Sequence, residues 1–145
     1  MTYQEWGVIA DSYIPLLGIS FIITIVRTSL RQNWATAKQP IFGILLSICF
    51  IYGLMWLDQI MTIWPRLGLD YSTHTALALV FVVYFSLQST KQCFWAIFSM
   101  VLYCLLMRYQ QYHSVIDIIT TSIITLPIIY LVQLKTNQIN NNRKS

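Results

Sequence analysis

Two short polar segments hold the side chains of this sequence that could do nucleophilic or acid–base chemistry. One runs from Asp70 to Thr75 and contains His74, and the other contains His113 and Asp117. The chain has only two histidines, and imidazole is the side chain that exchanges protons most readily near neutral pH. His113 and Asp117 are four residues apart, so a helix would place both on one face. A carboxylate at one ring nitrogen would leave the other nitrogen basic, which makes His113 a candidate nucleophile.

The composition of the chain indicates a membrane protein. Of its 145 residues 57% are hydrophobic and 10% are charged, whereas about a quarter of the residues of a soluble domain are charged. No basic stripe with interleaved aromatic residues suggests a nucleic-acid partner. Cys49, Cys93 and Cys104 lie inside apolar runs without metal-ligand spacing, and we interpret them as small core residues. We therefore predict an all-α polytopic membrane helix bundle.

Five apolar stretches approach the length of about 20 residues that a membrane-spanning helix needs. The predicted transmembrane helices are residues 6–26, 40–61, 71–88, 92–107 and 114–134. The fourth is the shortest, and Pro40 is expected at the start of the second, where its missing N–H has no helical acceptor. Residues 1–145 then form a single transmembrane domain, and the polar residues 135–145 are expected to be a mobile cytoplasmic tail.

The positions of the basic residues predict how this bundle is oriented. With five spans, seven of the nine lysines and arginines fall at one face, and Arg66 and Arg108 fall at the other. Since basic loops stay in the cytoplasm, the N-terminus is predicted outside and the C-terminus in the cytoplasm, across a plasma (bacterial inner) membrane. Both histidines then open helices at the outer face, where helix dipoles favour an anion and the two arginines could bind a phosphate.

The two polar segments resemble the motifs of a known superfamily. Asp70-Tyr71-Ser72-Thr73-His74-Thr75, followed by His113-Ser114-Val115-Ile116-Asp117, is similar to the second and third motifs of the type 2 phosphatidic acid phosphatases. The similarity is greatest to the sphingomyelin-synthase branch of that superfamily. It covers residues 70 to 117 and agrees with the predicted helix starts, because Ser72 is also a candidate N-cap of the third helix.

This resemblance implies a membrane-embedded lipid phosphatase or lipid headgroup phosphotransferase that needs no metal or cofactor. His113 would attack phosphorus to give a phosphohistidine, and Asp117 would orient its imidazole. His74 would protonate the leaving group and then activate the acceptor, which is water or a lipid alcohol. The substrate would be a lipid phosphate or phospholipid. The residues expected to bind it are Arg108, Arg66, Ser72 and Asp70.

Two other functions stay open at this point. Thr73 stands where the superfamily motif has glycine, and the first motif of the superfamily is not found, so a catalytically inactive lipid- or partner-binding protein of the same fold is one alternative. A small transporter or proton-coupled membrane protein is the other, because ionisable residues inside a membrane often mark ion paths. Asp11 and Asp58 would carry that transport, although we interpret both as interfacial residues. Shared phosphoryl chemistry requires the two imidazoles to lie within about 8 Å.

Overall fold

The computed structural model describes residues 3–31 and 34–142, and the regular elements in these two ranges are all helices. The predicted all-α class is confirmed for this part of the chain. In order, the elements are α1 (Tyr3–Arg31), α2 (Trp34–Met61), α3 (Ile63–Arg66), α4 (Thr73–Ser86), α5 (Thr90–Tyr109) and α6 (Val115–Asn142).

Within the described residues, four helices are long and apolar enough to cross a membrane. They are the long helices α1, α2, α5 and α6. The predicted span 71–88 contains only the 14-residue helix α4, which is about 21 Å long and therefore shorter than a hydrocarbon core of about 30 Å. Five spanning helices are thus not confirmed, and α4 rather than the 20-residue α5 is the shortest of the five main helices.

Helix α4 lies inside the bundle. It packs against α1, α2, α5 and α6, and nine of its 14 residues are buried. A helix enclosed by its neighbours is apolar all round, as a membrane span is, although its length need not match the thickness of the bilayer. The continuous apolar run that predicted a span is equally consistent with this central position.

Helices α4 and α6 run in the same direction, as contacts at both of their ends show. Near their starts, the backbone N–H of Ser72 donates to Thr121 Oγ1 at 3.0 Å. Further along, Gln133 Nε2 donates to the carbonyl oxygen of Val80 at 2.9 Å. The contacting residues advance together along both helices, so the two N-termini lie side by side.

Helix α1 runs antiparallel to α5. Trp6 packs against Tyr109 with ring centroids 6.5 Å apart, and Tyr13 stacks on Tyr103 at 4.2 Å. Short connections reverse the chain between α2 and α4 and between α4 and α5. The starts of α1, α4 and α6 and the ends of α2 and α5 therefore meet at one end of the bundle, which we call the histidine end.

Two helix boundaries differ from the prediction. Helix α2 begins at Trp34, so Pro40 lies inside it, where packing against other helices tolerates a missing backbone donor. Helix α6 continues through Asn142 into the predicted tail, and residues 143–145 lie outside the described ranges. The extension is anchored where α6 crosses α2, because buried Thr136 is so near Gly43 that a Cβ there would be 2.5 Å from Thr136 Oγ1.

Candidate active site

The histidine end brings His74 and His113 together. His74 is in the first turn of α4, and His113 lies in the loop between α5 and α6, two residues before α6 begins at Val115. Their ring centroids are 6.3 Å apart. This separation meets the requirement that one phosphorus atom can reach both rings, although the two residues are far apart along the chain.

The carboxylate nearest to His113 belongs to Asp70, not to Asp117. Asp70 Oδ2 lies 3.3 Å from His113 Nδ1, and Nδ1 is buried without a hydrogen bond of good geometry to any described residue. The contact is therefore electrostatic, and it favours a proton on Nδ1 and a lone pair on Nε2. Asp70 was predicted to bind substrate, but its carboxylate would repel phosphoryl oxygens. The structure instead has it in contact with the imidazole of His113.

Asp117 instead caps the N-terminus of α6. Its Oδ2 accepts hydrogen bonds from the backbone N–H of Ser114 at 2.9 Å and from Ser114 Oγ at 2.6 Å, while its own N–H donates to Ser114 Oγ at 3.2 Å. This is a capping box. Its Oδ1 accepts from the backbone N–H of Asp70 at 2.8 Å. The helical spacing that predicted its pairing with His113 does not apply, because His113 precedes the helix, and the charge of Asp117 acts on the imidazole less strongly than that of Asp70.

Ser72 is part of the scaffold beneath the site. It is fully buried and is the N-cap of α4, as predicted, with its Oγ accepting from the backbone N–H of Thr75 at 3.3 Å. The same Oγ lies 2.7 Å from Thr75 Oγ1. Since these bonds occupy the buried hydroxyl, Ser72 holds the helix that carries His74 and is not placed to touch a substrate.

The two arginines have different surroundings. Arg108 is in the last turn of α5 and lines an open cleft of about 560 Å³ together with His113. Arg66 ends the short helix α3, is exposed, and does not line that cleft. Of the two predicted phosphate ligands, only Arg108 shares a cleft with the candidate nucleophile.

His74 lines a different cleft. This second cleft has a volume of about 390 Å³ and lies among α1, α2 and α4. The cleft at His113 is formed instead by residues before and at the start of α6, including Asp117, with Asp70 from the loop before α4 and Arg108 from α5. The imidazole pair thus separates two openings, which we call the His113 cleft and the His74 cleft. The His74 cleft is lined by Asp11, Ile14, Pro15, Tyr52, Thr73, His74 and Leu77.

Burial lowers the pKa of His113 below its ordinary value of 6.5. The negative charge of Asp70 acts in the opposite direction, and nearby His74 lowers the pKa further. Because burial is the largest of these effects, His113 is neutral at neutral pH and carries the lone pair that a nucleophile needs.

The sequence indicates no role for Tyr112 at this site, and it indicates for Asp11 only an interfacial or transport role. Tyr112 stacks on His74 with ring centroids 6.2 Å apart, and its hydroxyl lies 3.4 Å from Asp11 Oδ1. The position of Asp11 near the start of α1 could have indicated this, because α1 begins at the histidine end. Asp58 is buried, and its Oδ1 accepts from the backbone N–H of Trp64 at 2.8 Å, so its carboxylate satisfies a backbone donor in the first turn of α3.

Comparisons with known proteins add no assignment. No protein-family model matches the chain, and no curated protein or solved structure matches it.

Proposed function

We propose that this protein is a membrane-embedded lipid phosphatase or lipid headgroup phosphotransferase that works through a phosphohistidine on His113. The observation that carries the proposal is the pair of imidazoles 6.3 Å apart, one of them with a carboxylate at Nδ1. The resemblance of both polar segments to the phosphatidic acid phosphatase motifs supports the same chemistry.

In the first step, His113 Nε2 attacks phosphorus while the bond from phosphorus to the lipid alcohol oxygen breaks. The bonding electron pair leaves with that oxygen, which takes a proton from the imidazolium of His74. Positive charge develops on the ring of His113 as the nitrogen–phosphorus bond forms. Asp70, 3.3 Å from Nδ1, stabilises that charge.

The His113 cleft offers three groups that can hold the phosphoryl oxygens. The guanidinium of Arg108 can donate two parallel hydrogen bonds to them. Val115 and Ile116 also line the cleft and are the first two residues of α6. The backbone N–H groups at these positions have no acceptor inside the helix, so they are free to face an anion.

In the second step, an acceptor oxygen attacks the phosphohistidine and His113 leaves. The acceptor passes its proton to the now neutral His74, which restores the starting protonation state of both rings. With water as acceptor the protein is a phosphatase, and with a lipid alcohol it is a transferase. Neither step requires a group other than side chains, backbone amides and the acceptor.

We place the histidine end at the extracytoplasmic leaflet of the plasma membrane. Among the described residues, this end has only Arg66 and Arg108 as basic side chains, and the other lysines and arginines in the described ranges lie towards the opposite end. Basic residues favour the cytoplasmic side. Impermeant thiol reagents that label a cysteine introduced at Gln111 in intact cells would agree with this orientation, and labelling only after lysis would contradict it.

The decisive experiment uses purified protein and a lipid phosphate labelled with ³²P at phosphorus. We expect phosphate or headgroup release without added metal, and acid-labile, base-stable label on His113 after rapid quenching. His113→Ala should abolish both signals, whereas Arg66→Ala, which removes an arginine outside the cleft, is the matched control and should retain them. Full turnover by His113→Ala would refute the mechanism.

One observation favours a second candidate function, a catalytically inactive protein that binds lipid or a partner. Of the four residues predicted to hold the substrate, Ser72 is buried, Arg66 lies elsewhere and Asp70 is acidic, so Arg108 is the single predicted ligand in place. Such a protein would bind lipid phosphates without turnover on any member of a broad panel. A phosphohistidine trapped on His113 would exclude it.

A further inference from the structure

The two clefts at the histidine end differ in their lining residues, and the imidazole pair lies between them. We propose that the His74 cleft is the subsite for the lipid alcohol, the part of the substrate that leaves in the first step. The His113 cleft then holds only the phosphoryl group with its remaining substituent. This inference rests on the proposed phosphoryl transfer and assigns the orientation of the substrate within it.

The geometry of the displacement directs the alcohol away from the His113 cleft. Attacking and leaving atoms lie roughly in line on opposite sides of phosphorus. If His113 attacks from its own cleft, the alcohol oxygen must point away from that cleft. His74, whose ring centroid is 6.3 Å from that of His113, lies in the adjoining cleft and can protonate this oxygen. The carbon skeleton attached to the oxygen must continue into the same space.

Only one of the two clefts is lined by a basic side chain of the arginine or lysine type. Arg108 lines the His113 cleft, where its guanidinium can bind the phosphoryl oxygens, although Asp70 and Asp117 line the same cleft. The His74 cleft has no lysine or arginine among its lining residues and contains the carboxylate of Asp11. A phosphoryl group therefore has a guanidinium ligand only in the His113 cleft, whereas a hydroxyl group of the alcohol can donate a hydrogen bond to Asp11.

The lining of the His74 cleft becomes less polar with depth along α1 and α4. Helices α1 and α4 both start at the histidine end, so residues later in each helix lie deeper in the bundle. On α1 the lining changes from Asp11 to Ile14 and Pro15, and on α4 it changes from His74 to Leu77. Three residues along a helix correspond to about 4.5 Å of depth. A lipid alcohol has the same order, with its oxygen at one end and its methylene groups at the other.

A cleft-filling substitution tests this assignment by specificity. Ile14→Trp places a bulky ring in the apolar part of the cleft, and Leu16→Trp makes the same change at an exposed position on α1 outside it. The readout is kcat/KM for a long-chain lipid phosphate divided by kcat/KM for a small aryl phosphate. We expect this ratio to fall at least about tenfold in Ile14→Trp and to stay unchanged in Leu16→Trp. An unchanged ratio in Ile14→Trp would overturn the assignment.

A second measurement does not depend on turnover or on a tolerated tryptophan. A lipid phosphate with a photoreactive diazirine on its acyl chain, close to the glycerol, is cross-linked to the His113→Ala protein, and the adducts are mapped by mass spectrometry. Adducts within residues 11–17 and 73–77 would support the alcohol subsite. Adducts confined to 101–109 and 115–126, or none above a dark control, would refute it. Loss of the phosphohistidine signal in the wild-type protein would instead refute the proposed function, so the two failures can be told apart.

Discussion

Replacing Asp70 with asparagine tests which carboxylate serves His113. The change keeps the size of the side chain and removes its charge. Asp70 raises the pKa of His113 against the larger lowering effect of burial, so the asparagine variant should have a His113 pKa lower than that of the wild type. The same carboxylate stabilises the positive ring that forms during attack, so the maximal rate should fall as well.

The size of the rate effect follows from the contact. Two unit charges 3.3 Å apart would attract by about 5 kcal/mol at an effective dielectric constant of about 20 and by about 1.3 kcal/mol in bulk water. Asp70 is 70% exposed, so solvent screening reduces the net effect to the range of exposed ion pairs, about 0.2–1 kcal/mol. We therefore expect Asp70→Asn to lower the rate of phosphohistidine formation by at most about fivefold.

The assay is a pH titration of the histidine ring signals by NMR, alongside single-turnover rates measured across the same pH range. With only two histidines in the chain, His74→Ala assigns both signals. Asp117→Asn is the comparison, because Asp117 bonds Ser114 and the Asp70 backbone. A His113 pKa that is unchanged or raised in Asp70→Asn, or lowered more by Asp117→Asn than by Asp70→Asn, would show that the structure has assigned the wrong acid to His113.

Three further predictions concern stability. Asp117→Ala removes the capping box of α6 and should cost about 1–3 kcal/mol in the free energy of unfolding, measured as a lower Tm in detergent. Gly43→Ala should cost about 1–3 kcal/mol because its Cβ would lie 2.5 Å from Thr136 Oγ1, whereas Gly53→Ala, with nothing within 4 Å, tests the same helix without a clash. Because the pKa of His113 is lowered on folding from 6.5, the unfolded chain binds the proton first, so stability falls as the pH drops below that value. His113→Ala should reduce this pH dependence, and equal slopes in both proteins would contradict the buried, neutral state of His113.

The sequence predicted the helices and the meeting of the two histidines because both follow from where apolar runs begin and end. Ser72 was recognised as an N-cap by its residue type and position alone. The partner of His113 could not be predicted in the same way. The spacing of His113 and Asp117 has meaning only inside a helix, and the helix begins at Val115. Asp70 is held beside the imidazole because its backbone N–H donates a hydrogen bond to Asp117, which is 47 positions away in the sequence.

The role of α4 was also hidden in its sequence. A fully apolar run is expected both for a helix that faces lipid and for a helix that faces only other helices. Length separates the two cases, and the run from 71 to 88 includes polar and turn residues at both ends that shorten the helix to 14 residues. The two clefts could not be predicted from the sequence either, because each is formed by side chains from three or more separate segments.

The enclosed position of α4 has a consequence for how the protein is made. A 14-residue helix falls below the length of about 17 residues at which a segment is stable in a bilayer alone. We expect α4 to enter the membrane only together with α5, with the two helices leaving the translocon as a hairpin. Because His113 follows α5, the two imidazoles come together only after α6 has packed against α4. A partly synthesised chain therefore does not have the two histidines side by side.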